Sequence, residues 1–164
     1  MIQLPRFWRR HFLSVEFLLA VILAAAFSVW YLRFDGAAAT SAALQGNRAT
    51  LYGTLASILG SLLGFVITAT SIVLGFSTSE RLAVVRESTE YPTLWKTFSS
   101  TIWTLALSTI VSLLCLVFDR DSSPSRWFAI PFVFVLLLSL LRISRTIWVL
   151  ERIIALVTRP VSKE

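Results

Sequence analysis

The sequence has one cysteine, Cys115, and one histidine, His11. A lone thiol excludes an internal disulfide framework and any multi-cysteine metal centre. Cys115 also sits in an apolar run without a basic neighbour, where a thiol stays inert. His11 lies beside Arg9 and Arg10 in a basic, aromatic stretch at headgroup level, a poor place for a general base. There is no Gly-rich phosphate loop, no paired His/Glu metal spacing and no G-x-S-x-G elbow. No enzyme activity, metal or cofactor is therefore expected. Acidic residues are scarce, 9 against 15 basic, for a formal net charge of +6. The longest absence is of charge itself: residues 49–79 contain no Asp, Glu, Lys or Arg.

What fills the gap is apolar. Hydrophobic residues make up 56% of the 164, and the mean hydropathy is +0.77, more than a soluble domain of this size can cover. The expected fold is all-α: one polytopic membrane domain, 1–164, with spans at about 12–32, 50–78, 95–118 and 127–150 and an extension at 151–164. A signal peptide competes for the first run, which is basic, then apolar, then alanine-rich, but the run is long for that role. Residues 35–48, DGAAATSAALQGNR, read as a connector with turn formers at both ends. Residues 80–90 read as a continuation of the second helix or an interfacial elbow. Tyr91-Pro92 ends it, because proline disfavours a helical residue before it. The fourth helix starts near Ser125–Trp127 with Pro131 in its first turns. The second and fourth helices are expected to be long and to project into the cytoplasm.

Four spans put both termini on one side. The side with the termini carries 11 Lys and Arg, the other Arg33, Arg48, Arg120 and Arg126, so the positive-inside rule places both termini in the cytoplasm. Trp8 and Trp30 lie 22 residues apart and Trp127 and Trp148 lie 21 apart. Those intervals are about 31–33 Å of helix, the distance between two interfacial aromatic belts.

The second span carries a seam of small residues: Gly53, Ser57, Gly60, Gly64, Thr68, Ser71, Gly75 and Thr78 recur every three or four positions. Lipid gains nothing from glycine, whereas a neighbouring helix can approach its backbone. The seam reads either as packing inside one subunit or as a face turned to a symmetry axis, against other copies or a pore. The third span has a polar seam, Thr97, Thr101, Thr104, Ser108, Ser112 and Cys115, read as helix–helix glue or as a hydrated path.

Charges at membrane depth are functional candidates. Taking Trp148 as the inner belt, Arg142 lies about 9 Å and Arg145 about 4.5 Å inside it, counted at the helical rise. They can snorkel to the headgroups. With Arg152 and Arg159 they can also form a stripe for acidic lipid, for an anion-attracting vestibule, or for a nucleotide or oligonucleotide ligand. Glu16 is the one acidic residue inside a span, about 12 Å of helix beyond Trp8. A carboxylate at that depth calls for a cation, so Glu16 is expected to pair with Arg142 or Arg145 unless it turns to the headgroups or takes a proton.

The layout resembles the small four-span membrane effectors of bacterial anti-phage defence operons, such as the membrane component of the Hailong type. The stretches that carry the resemblance are RATLYGTLASILGSLLGFVITATSIVLGFS and RISRTIWVLERIIALVTRP. The second helix also resembles that of widespread uncharacterised bacterial membrane proteins. The resemblance implies a channel in the bacterial inner membrane that depolarises the cell in response to a nucleotide or nucleic-acid signal. The expected function is a homo-oligomeric channel or pore, with a tetramer the favoured assembly and lipid all round it. The alternative is a non-conducting anchor or regulatory subunit of a larger complex with a soluble partner protein.

Overall fold

The computed structural model describes residues 6–76, 91–121 and 126–157. Thr78, the charged stretch 80–90, part of the DRDSSPS loop and the basic end from residue 158, with Arg159, lie outside the described residues. Among the described residues five helices follow one another: α1 (Arg6–Arg33), α2 (Gly36–Leu44), α3 (Arg48–Phe76), α4 (Tyr91–Phe118) and α5 (Arg126–Val157). Four of them are long and apolar enough to cross a membrane, over Leu13–Arg33, Arg48–Gly75, Leu94–Phe118 and Trp127–Glu151. The chain is an all-α membrane protein.

The four long helices have 28, 29, 28 and 32 residues. At about 1.5 Å per residue each exceeds the ~30 Å hydrocarbon core. Within the described residues the second of them exceeds the first and third by a single residue, and α5 is the longest. Pro92 lies in the first turn of α4, where a missing amide costs nothing, and Pro131 lies near the start of α5.

The connector expected at 35–48 folds instead as the short helix α2. Five of its nine residues are alanine, the best helix former, and this outweighs the turn signals at its ends. Those signals are still used. Asp35 takes the left-handed conformation at φ 52°, and Gly46 sits at φ +75° before α3. Gly36 is needed for space: a Cβ there would lie 2.8 Å from Tyr31 Cα and 2.9 Å from the Trp30 carbonyl oxygen. The α1–α2 corner closes on backbone.

Packing places α3 against α4, α4 against α5, and α5 against α1. The helices therefore stand in a row, α3–α4–α5–α1, with α1 and α3 at its ends. The row curves enough for Tyr52 of α3 to meet Phe132 of α5 edge-on, ring centroids 5.0 Å apart. Two hydrophobic clusters fill the curve. One gathers around Leu59, Val66, Phe98 and Leu105, the other around Tyr52, Cys115 and Phe132. Both draw on α3, α4 and α5. Residues 13–29 of α1 turn large side chains such as Leu18, Ile22 and Val29 outward, as lipid contact requires.

Candidate functional site

Helix α4 sits in the middle of the row, and its small polar residues make this possible. Thr97, Thr101, Thr104, Ser108, Ser112 and Cys115 are all buried. The Thr101 and Thr146 hydroxyls lie 2.9 Å apart, and those of Ser108 and Ser139 2.6 Å apart. Ser108 also donates to the Val135 carbonyl oxygen at 3.1 Å. Thr104 and Ser112 donate to the carbonyl oxygens of Ser100 and Ser108, one turn back along the helix. The residue numbers of each cross-helix hydroxyl pair sum to the same value, so α4 and α5 run antiparallel in one register. Hydroxyls joined directly and buried are packing contacts. They are the glue of the first reading rather than a hydrated path.

Charges gather at both ends of the bundle. At the end where the described chain begins and finishes, Arg145 Nε donates to Glu16 Oε1, joining α5 to α1. Arg142 does not bond Glu16. Its Nη1 donates to the Ser100 carbonyl oxygen of α4 at 2.9 Å. Glu16 Oε2 and Arg142 Nε are buried with no hydrogen-bond partner. Arg152 falls in the last turns of α5, and Arg159 lies outside the described residues. Arg142 and Arg145 are thus engaged within the chain, one with a carbonyl and one with a carboxylate.

The far end holds a cluster that the sequence reading did not single out. Asp119, 1% exposed, follows α4 and accepts from Arg48 Nη1 at 2.8 Å and from Tyr52 OH at 2.6 Å, both through Oδ2. Arg48 Nη2 donates to Ser41 Oγ of α2 at 2.8 Å, and Arg48 Nε lies 3.5 Å from Asp121 Oδ1. One guanidinium thus ties α2, α3 and the α4–α5 turn together. From the sequence alone Arg48 counts as a loop cation. The available signal was a tyrosine one turn into an otherwise apolar span, with an acid at the end of the next helix.

Among the described residues, no helix packs against the small-residue seam of α3 between Gly53 and Ser71. A Cβ added at Gly53, Gly60 or Gly64 would meet no atom within 4 Å. Ser57, Gly64, Thr68, Ser71 and Gly75 are exposed, and Gly53 and Gly60 are half-buried. The Thr68 and Ser71 hydroxyls donate back to the carbonyl oxygens of Gly64 and Ile67, at 2.9 Å each. The packed face of α3 is another one: Tyr52, Leu59, Val66 and Thr70. At 100° per residue the two faces are centred about 120° apart. The seam accordingly lies off the face by which α3 packs on the other described helices.

A row of four helices long and apolar enough to cross a membrane, with a buried polar core, defines a polytopic α-helical membrane protein. Comparison with protein-family models, with curated proteins and with solved structures finds no match.

Proposed function

We propose that this protein assembles with copies of itself through α3 and that the assembly forms a channel or pore. The observation that supports this is the face of α3 where glycine and hydroxyl residues run from Gly53 to Ser71 with no partner helix among the described residues. Against lipid, glycines forfeit dispersion contacts that leucines would make. Against another α3, they allow close backbone approach. A row of four helices encloses no conduit, so any conduit lies on the symmetry axis between copies. A tetramer is the favoured count. In this reading the membrane is the bacterial inner membrane with both termini cytoplasmic, and the effector acts in anti-phage defence. The signal is an anionic nucleotide or oligonucleotide. Since Arg142 and Arg145 are engaged internally, Arg152 and Arg159 at the cytoplasmic end are the residues for it.

The test is electrical. Purified protein in planar bilayers should give discrete conductance steps, and Gly60→Leu or Gly64→Leu should abolish them together with the oligomer. An intact oligomer that never conducts, with or without nucleotide, refutes the channel and leaves the anchor of a larger complex.

A further inference from the structure

The α1–α5 contact is built unlike the other helix pairs. The two hydrophobic clusters are made from α3, α4 and α5. The buried residues in the first three turns of α1's span are Glu16, Ala20 and Ala24. Spacing of four puts them on one stripe. Two alanine methyls make a smooth rail, without the large knobs that fix register between packed helices. Phe17, half exposed, rests edge-on against Phe134, an apolar contact without a hydrogen bond. The directional contact is the Glu16–Arg145 bond. A second guanidinium, Arg142, stands one turn along α5 toward the far end, with Nε buried and unpartnered. Glu16 Oε2 is buried and unpartnered as well. One orphan donates and the other accepts, and each costs free energy as it stands.

We propose that Glu16 is a two-position latch. In the conformation described it holds α1 at Arg145. In the second position it accepts from Arg142, with α1 advanced toward the far end by about 4.5 Å, three residues of helical rise. Releasing Arg145 does not strand it. It is the guanidinium nearer the headgroups, and a long side chain reaches them from there. Arg142, deeper in the membrane, gains a charged acceptor in addition to its carbonyl.

The movement has a defined route through the fold. Gly36 lies against the backbone of Trp30 and Tyr31, so α2 travels with α1. The turn Gln45–Asn47, with Gly46 in the left-handed region, is the joint before α3. Ser41 of α2 accepts from Arg48 at 2.8 Å, and a displacement of the proposed size breaks that bond. The latch at one end is thereby felt by the Arg48–Asp119–Tyr52 cluster at the other, which anchors α3. The latch itself does not depend on conduction, and its test is a distance.

The experiment uses the full chain in liposomes with Cys115→Ser and spin labels at Leu32→Cys on α1 and Leu140→Cys on α5, both exposed positions. Labelled protein is diluted with unlabelled protein so that only distances within one chain are read. Arg145→Gln forces the carboxylate to Arg142 and should lengthen the label distance by about 4 Å, most of the proposed rise. Arg142→Gln should leave the wild-type distance. Glu16→Gln, which removes the latch without changing side-chain size, should broaden the distribution across both positions. If Arg145→Gln fails to insert, Glu16→Gln decides. A narrow peak at the wild-type distance in Glu16→Gln, or the same shift in Arg142→Gln as in Arg145→Gln, overturns the proposal.

Discussion

Asp119→Ala should be among the most damaging single changes outside the hydrophobic core. The carboxylate is 1% exposed and accepts from Arg48 at 2.8 Å and Tyr52 at 2.6 Å. Removing it strands a guanidinium in a residue only 7% exposed and a phenol in a residue 2% exposed. Breaking a buried pair from one side costs about 3–5 kcal/mol, because the remaining charge has lost both water and partner. The orphaned hydroxyl adds about 1 kcal/mol or more. Asp121 offsets part of this, since it already lies 3.5 Å from Arg48 Nε. The expected loss is about 4 kcal/mol after that offset. Tyr52→Phe keeps the ion pair and should cost only about 1–2 kcal/mol. Arg48→Met with Asp119→Leu removes both charges and should cost only about 1 kcal/mol, for the Tyr52 hydroxyl left without its acceptor. The measurement is unfolding in mixed micelles with a rising fraction of denaturing detergent, read by helical circular dichroism. In the cycle of Arg48→Ala and Asp119→Ala the double loss should fall short of the summed single losses by about 2–3 kcal/mol. Strict additivity, or a loss below about 1 kcal/mol for Asp119→Ala, would refute the reasoning, since a buried pair cannot be broken that cheaply.

Gly64→Leu should split the oligomer while changing the stability of the subunit by no more than about 0.5 kcal/mol, as at a surface position; native mass spectrometry and the same unfolding titration separate the two effects. Gly36→Ala should cost about 1–3 kcal/mol, because its methyl meets backbone atoms that cannot turn aside; a neutral result in that titration would show that the corner relaxes. Glu16→Ala and Arg145→Ala should each destabilise, and the double change should cost less than their sum. Additive losses there would mean that each side chain is held by the headgroups instead.

Much of this protein was already determined by one-dimensional order. The four spans follow from length and apolar content alone, because a lipid-exposed segment must satisfy its own backbone and be apolar nearly all round. That Glu16 and Arg145 stand at matching heights along the bundle followed from counting residues to the tryptophans, since a helix converts sequence distance to height. Rotation and neighbourhood did not follow. Which of two arginines one turn apart meets Glu16 depends on how α1 and α5 face each other, and no local pattern encodes that. The seams of α3 and α4 look alike as sequence, small residues every three or four positions. One is buried in the middle of the row and the other, among the described residues, faces away from it at its end, because packing order is a property of the whole bundle. Arg48 and Asp119 lie 71 residues apart. Only the folding of α3 alongside α4 brings them together, and only tertiary structure turned a loop cation into the anchor of the far end.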